Sequence, residues 1–411
     1  MSEKTERTLR RRAIRMLAQG HPPSAIVKRL GRSRGWLSKW RQRYGQAGVK
    51  GLHAHSRRPR QCPQAWPTSM RKLIVQTRRR LGRAQAGLVG AGAIRRELKK
   101  LMPRQSLPSE RTIGRVLRQA KLIAPLSADG SAYFPAPSEE LAGSLDALDW
   151  TCRYLEGGAK IYAFHTLNLR TRTMTQTLAD NKSLATVYQH VLDSWKTLGI
   201  PNFLQTDNDA IFCGGYKAPR IFGTFTRLCL FVGVELIFLP YAEPKCNSAV
   251  ERLNGLWGGA AFWQRHHFRC PGDVHRLSPA FLRWYRDDYT PPMLAGLTPG
   301  QAQRREDRPR LTRVLLHSLS DPLPITAGRV HFLRRVQPSG TIRLLNEAWR
   351  VGKRLAGHYV WATLTTHRHT LEFWHRRNPH TDWRMIKHLP YEIAEPVRRL
   401  QPDFAKLFTM S

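Results

Sequence analysis

Three acids stand out in a chain rich in arginine: Asp149 in "SLDALDWTCRYL", Asp207 in "FLQTDNDAIF" and Glu251 in "NSAVERLNGLWGG". The first stretch reads as a strand and the second as a strand ending at the acid. The third reads as a helix with Glu251 one turn in, which Asn247 or Ser248 is able to cap. If the two strands are neighbours, all three carboxylates meet at one edge of a sheet. Like charges within a few Å oppose joint ionisation, so such a cluster calls for cations. Two divalent ions about 3.5–4 Å apart relieve the repulsion and activate an oxygen nucleophile for in-line displacement at phosphorus. Mg2+ suits a site of few carboxylates, with Mn2+ as substitute. The blander reading has each acid capping a turn or pairing with an arginine. It serves for a lone Asp and less well for three acids at matching element ends.

The elements that must position these acids lie over 143–305, which reads as a mixed α/β domain. "SLDALDWTCRYL", "KIYAFHTLNL" and "TRTMTQTLA" give three antiparallel strands, "SLATVYQHVLDSWKTLG" an amphipathic helix, and "NFLQTDN" and "VELIFLP" two further strands. Trp257 and Trp263 read as core or interface. Residues 306–385 alternate apolar and polar residues between closely spaced turn signals, which predicts a small β-barrel, and 386–411 reads as a C-terminal tail.

The chain has 411 residues, a formal net charge of +39 and a pI near 11.2. Self-repulsion on that scale implies a polyanionic partner, nucleic acid first. Residues 1–120 carry 31 Lys and Arg against four acids, Glu3, Glu6, Glu97 and Glu110. Within 1–50, three short helices punctuated by Gly20 and Gly31 suit a helix-turn-helix. Its last helix carries Arg34, Lys39, Arg41 and Arg43 for DNA. A basic linker (51–66, with Arg57 and Arg58) leads to a second helical DNA-binding unit (67–121, with Arg111 and Arg115) and a linker rich in Pro, Ser and Ala (122–142). The alternative for each helical unit is a small bundle with a solvated basic face. No run of about 18 uncharged apolar residues argues for a membrane span, and no apolar signal core argues for secretion. The six cysteines form no C-x-x-C pair, and His266, His267, His367 and His369 read as surface or nucleic-acid contacts. A cytoplasmic setting is expected.

Several of these segments together resemble the DDE transposases of the insertion-sequence type, which share their catalytic core with retroviral integrases and their fold with ribonuclease H. "WRQRYGQAGVKGLHAHSRRP" resembles the end of the family's helix-turn-helix and its linker. "LDWTCRYL" resembles the first catalytic strand, "LQTDND" the second Asp motif, "PYAEPKCNSAVERLN" the glutamate-helix motif and "GLTPGQA" the segment after the core. The resemblance covers about residues 5–305. It implies a multidomain α+β protein with helix-turn-helix domains, a ribonuclease H-like core and a C-terminal barrel. It also implies a metal triad in which Asp149 and Asp207 hold one ion and Asp149 and Glu251 the other. Around that site, Asn247 and Lys245 read as positioning the glutamate helix or touching DNA, and Arg252 as contacting a phosphate or pairing with a nearby acid. The activity implied is metal-dependent 3′-end cleavage at transposon ends and strand transfer into target DNA. Its setting would be a homo-oligomer (dimer or tetramer) in a nucleoid-associated complex, with a partner ATPase as a further possibility. The chain departs from the pattern at Asp209 and Ile211, at Asn168, and in a longer stretch between Asp207 and Glu251, suggesting an insertion near "CGGYKAPRIFG". Asp209 competes with Asp207, and Asp146 with Asp149. A domesticated, inactive relative acting as a DNA-binding regulator is the alternative function.

Overall fold

The computed structural model describes residues 3–53, 66–83, 90–123, 132–214, 220–304, 306–311 and 322–399. The chain divides into two units, Met1–Pro67 and Thr68–Ser411. In the first, α1 (Glu3–Ala18), α2 (Pro23–Leu30) and α3 (Arg34–Ala47) bury Ala13, Met16, Ile26 and Leu37 together. The turn between α2 and α3 is fixed by residue chemistry. Gly31 takes the left-handed conformation that ends α2, and the Ser33 hydroxyl accepts from the Trp36 amide at 3.1 Å to start α3. A 3-10 turn, Gly48–Leu52, then folds back on the bundle. Arg10 anchors it by donating to the Leu52 carbonyl at 3.0 Å while its guanidinium stacks 4.0 Å from the Trp40 ring. Gly51 is required there, because a Cβ would stand 2.1 Å from the Arg43 carbonyl oxygen.

The second unit opens with α4 (Thr68–Arg83), α5 (Ala91–Leu101) and α6 (Glu110–Gln119), which enclose Ile74, Ile94, Leu98, Ile113, Val116 and Leu117. This is the second helical triplet expected from the sequence. Past the short α7 (Pro137–Glu140), the core sheet runs through β1 (Leu145–Tyr154), β2 (Lys160–Asn168), β3 (Met174–Ala179), α8 (Leu184–Leu198) and β4 (Phe203–Thr206). It continues through α9 (Ala210–Cys213), α10 (Thr224–Val232), β5 (Glu235–Phe238), α11 (Ser248–Trp257), α12 (Pro271–Asp287) and α13 (Pro299–Gln303). The order β3-β2-β1-β4-β5, with β1–β3 antiparallel and β1, β4 and β5 parallel, is that of a ribonuclease H-like core. Alternation along the strands sends Leu148, Phe164, Leu204 and Leu236 to a core with α8 and α10. Ala147, Ile161, Ala163 and Phe203 face a second core with α11 and α12.

The remaining strands are β6 (Ile325–Thr326), β7 (Arg329–Arg335), β8 (Thr341–Leu344), β9 (Glu347–Arg350), β10 (Tyr359–Thr365), β11 (Thr370–His375), β12 (Arg384–Pro390) and β13 (Val397–Arg398). The expected separate barrel is not what they form among the described residues. β7 pairs in parallel with β5, and β10, β11 and β12 follow, so the core sheet grows to nine strands. Phe238 of β5 stacks on Phe332 of β7 at 5.3 Å, so the C-terminal strands share the core formed with α8 and α10. The expected tail likewise begins as strand, with β12 at the sheet edge and β13 paired to β6. His367 lies in a 3-10 turn and His369 is left-handed, so neither is in a strand.

Replacing Gly51 with Ala is expected to destabilise the N-terminal unit by about 1–3 kcal/mol through overpacking. Hydrogen exchange on the full chain checks it: amides of α1–α3 should exchange faster while those of β1 and β4 do not change.

Candidate active site

β1 and β4 run in parallel with Asp146 opposite Leu204 and Ala147 opposite Gln205. Continuing that register by two residues brings Asp149 level with Asp207, and alternation turns both toward the face covered by α11. α11 docks there through Val250, Leu253 and Trp257, while Glu251 stays exposed at the rim. One cavity of about 290 Å3 is lined by Asp149, Asp207 and Glu251 together with Asn208, Asn247 and Glu243.

Asp149 is the buried member of the trio, 7% exposed. Its Oδ1 accepts from the Trp150 amide at 2.8 Å and its Oδ2 from the Asn254 side-chain amide at 2.8 Å. Asp207 Oδ1 accepts from the Asp209 amide at 3.0 Å. Asn247, expected as a possible cap, makes no side-chain cap of α11; instead its Oδ1 accepts from Gln205 Nε2 at 2.9 Å and ties the helix start to β4. The loops beside Asp207 are gripped from β7. Arg334 donates to Asn208 Oδ1 at 2.7 Å and to the carbonyls of Phe238 and Leu239 at 3.0 and 2.9 Å. Asn254, three residues beyond Glu251 on the same helix, was legible in principle from i,i+3 spacing. Arg334 was not, because nothing local links it to residue 208.

The electrostatics set these acids apart. Burial, and then the charges of Asp207 and Glu251, push the Asp149 carboxyl up to about 7 against the hydrogen bonds from Trp150 and Asn254. Asp207 is raised by burial and by Asp209, and Glu251 by burial and by Asp207. Among the described residues none of the three forms an ion pair, in a chain of net charge +39. As the side chains lie, no trio of His, Cys, Asp or Glu among the described residues is grouped tightly enough to enclose an ion. Mutual repulsion opposes closer approach until positive charge is supplied. A set of hard oxygen donors running from the buried Asp149 to the exposed Glu251, with Asp207 raising the carboxyls of both, fits a divalent cation of the Mg2+ type.

The competing acids have other work. Asp209 caps α9, accepting from the Ile211 amide at 3.1 Å, and pairs with Lys182 at 2.7 Å. Asp146 is fully buried against Arg308 at 2.8 Å, and Arg308 also meets Glu306 at 3.2 Å. The extra chain length after Asp207 leaves and returns at one point, since Gly214 and Gly223 touch so closely that a Cβ on either would stand within 2.9 Å of the other's Cα. Of the basic residues, Arg34, Lys39 and Arg41 are exposed on α3, whereas Arg43 is half-buried with its guanidinium 5.1 Å from the Trp40 ring. Arg111 and Arg115 are exposed on α6, and Lys245 and Arg252 are exposed too, though neither lines the cavity of the three acids and Arg252 lines another with Arg172 and Tyr289. Arg57 and Arg58 lie outside the described residues. Trp257 is fully buried, as read from the sequence.

Residues 4–52 match the family described as Homeodomain-like domain. No curated protein matches the chain. Among solved structures, it is similar to the HTLV-2 integrase catalytic core domain in complex with magnesium, dimeric form (15% identity, 39% of this chain and 94% of that one, TM-score 0.31). It is also similar to the BIV integrase catalytic core domain (15%, 39% and 93%, TM-score 0.30). A third is the simian T-cell lymphotropic virus intasome in complex with the PP2A regulatory subunit B56 gamma (13%, 76% and 96%, TM-score 0.32). At scores of this size the likeness adds nothing to the fold assignment, which rests on sheet order and register. Among the described residues no helix is long and apolar enough to cross a membrane.

The raised Asp149 value has a signed consequence. An unfolded Asp titrates near about 3.9, so the folded chain holds this proton more tightly. The resulting stabilisation is complete below about pH 4 and is lost as pH rises through about 7. Without divalent cations, Asp149→Asn is therefore expected to raise the thermal midpoint at pH 8 and to leave it nearly unchanged at pH 4. Melts of both proteins across that range check this, and parallel curves would contradict it.

Proposed function

We propose that the chain is a DNA transposase/integrase, a metal-dependent polynucleotidyl transferase of the DDE type. The observation that carries this is the convergence of Asp149, Asp207 and Glu251, from β1, the end of β4 and α11, on one cavity where the charges of neighbouring members raise the Asp149 and Glu251 carboxyls and none of the three forms an ion pair among the described residues. In a strongly basic chain, leaving three acids unpaired makes sense where a cation and a phosphate are to be received.

Asp149, Asp207 and Glu251 would hold Mg2+, two ions with Asp149 shared between them, and Mn2+ would substitute. When bound, the cation supplies charge neutralisation at phosphate and a more acidic attacking oxygen. The chain's own part is positioning. Asn254 and the Trp150 amide orient the Asp149 carboxylate, Gln205 and Asn247 fix the helix that carries Glu251, and Arg334 holds the loop that follows Asp207. Water attack at a transposon end breaks a P–O bond and frees a 3′-OH. That 3′-oxygen then forms a P–O bond with target DNA while the target's own 3′-oxygen leaves. Lys245, ahead of α11, and Arg252, next to Glu251 in sequence, are exposed and would suit phosphate contacts near the site.

Double-stranded DNA would be engaged first by the homeodomain-like unit, with α3 and its Arg34, Lys39 and Arg41 toward the major groove, and by Arg111 and Arg115 of α6. A dimer or tetramer would assemble on the paired ends. Phosphate contacts of this kind make binding strongly salt-dependent, losing about 10^3-fold or more between 50 and 200 mM salt.

The test is joining of labelled DNA from the flanks of the native gene into a plasmid with Mg2+ or Mn2+. The unaltered chain is expected to join ends, and Asp207→Asn to lose at least about 100-fold while keeping its DNA affinity. Retained DNA binding with no joining by the unaltered chain would favour the inactive, regulatory relative instead.

A further inference from the structure

A row of polar side chains, all buried except the half-buried Gln176, runs from α12 through β3, β2 and α11 to Asp149. Ser278 donates to Gln176 Oε1; Gln176 Nε2 lies 2.7 Å from His165 Nε2; His165 Nδ1 lies 2.6 Å from Asn254 Oδ1; and Asn254 Nδ2 lies 2.8 Å from Asp149 Oδ2. None of the DNA- or cation-binding assignments above uses His165, Gln176 or Ser278. His165 stands opposite Asp149 in the β1–β2 register, is fully buried, and has its pKa driven down to about 4 by burial, so the ring is neutral.

The direction of every link follows from the far end. When Asp149 is ionised, as cation binding requires, its carboxylate only accepts, so Asn254 turns its N–H groups toward it. Its Oδ1 is then an acceptor, and the ring nitrogen facing it has to carry the single imidazole proton. With the proton on Nδ1, Nε2 accepts from the Gln176 amide, which leaves Gln176 Oε1 to take the Ser278 hydroxyl. While Asp149 is ionised, no link reverses without setting two acceptors against each other; a protonated Asp149 carboxyl would let the whole row reverse.

We propose that His165 is a positioning residue for Asp149: its Nδ1–H fixes the Asn254 amide so that a donor, never a carbonyl, faces the carboxylate, with Gln176 and Ser278 holding the ring in that tautomer. The relay also joins β1 to α11, and so sets the placement of Asp149 against Glu251. The inference rests on the reading of Asp149 as a cation-binding carboxylate. Outer partners of this kind typically govern cation affinity by about 10–100-fold.

The rival role for His165 is packing, since its ring meets Trp257 edge-on at 5.9 Å. Two substitutions separate the roles, because they rank oppositely. Phe fills the volume but donates nothing, whereas Asn leaves space but can present an N–H where Nδ1 stood. Calorimetric titration of Mn2+ into the full-length chain is expected to show His165→Phe weakened by about tenfold or more and His165→Asn by less than about threefold. Phe equal to or better than Asn would overturn the proposal. Independently, nitrogen NMR of the metal-free protein at pH 9, where the Asp149 carboxyl is ionised, with His165 assigned by its absence from His165→Asn, should show the Nδ1–H tautomer; an Nε2–H ring would overturn the relay. If the unaltered chain takes up no Mn2+, the cation reading fails, and the tautomer still decides the relay.

Discussion

Repulsion among three carboxylates is the constraint around which the second unit is built. Asp149 is buried at the centre of a sheet, its carboxyl is pushed up to about 7, and the nearest charges contributing to that shift are Asp207 and Glu251. Burying like charges together is costly, so a fold keeps them only if its backbone leaves no cheaper arrangement. Here the parallel register of β1 and β4 puts the two aspartates level, and the apolar stripe Val250–Leu253–Trp257 pins α11 so that Glu251 faces them. The cost falls on an otherwise well-packed core, with Trp195, Trp257 and Phe238 almost wholly buried on the two sides of the sheet.

Hydrogen bonds that reach well outside the trio then fix each arm. Gln205 holds the start of α11, Asn254 holds Asp149, and Arg334 spans the sheet to hold the loop after Asp207. The last of these gives the C-terminal strands a part in the site. By pairing with β5 they bring a buried guanidinium to the carbonyls at the end of that strand. Lys182 and Arg308 are equally telling, because they form their ion pairs with Asp209 and Asp146, the two neighbouring acids, and not with the trio, although the Lys182 charge also reaches Asp207.

Much of this was legible in the sequence because it is local. Gly31 and Ser33 mark the turn between α2 and α3, alternating apolar residues mark β1 to β3, and Trp257 falls on the apolar stripe of its helix. Asp207 just past β4 and Glu251 in the first turn of α11 fall at element ends that those patterns expose, whereas Asp149 sits midway along β1. What local pattern could not carry was pairing across long separations. β7 joins β5 some ninety residues away by parallel pairing, which leaves no turn signal, so its alternation reads equally well as a free-standing barrel. β12 is largely exposed at an edge and has too little apolar contrast to distinguish it from a tail. The roles of Asp146 and Asp209 depended on partners, Arg308 and Lys182, that sequence spacing does not reveal.

The most direct measurement of the central claim is calorimetric titration of Mg2+ and Mn2+ into the full-length chain at pH 7.5, beside Asp149→Asn and Glu251→Gln. Saturable uptake by the unaltered chain, abolished or strongly weakened in both variants, is the predicted result. Uptake indifferent to either substitution, or none at all even with DNA present, would contradict the claim that these carboxylates are held together to receive a cation.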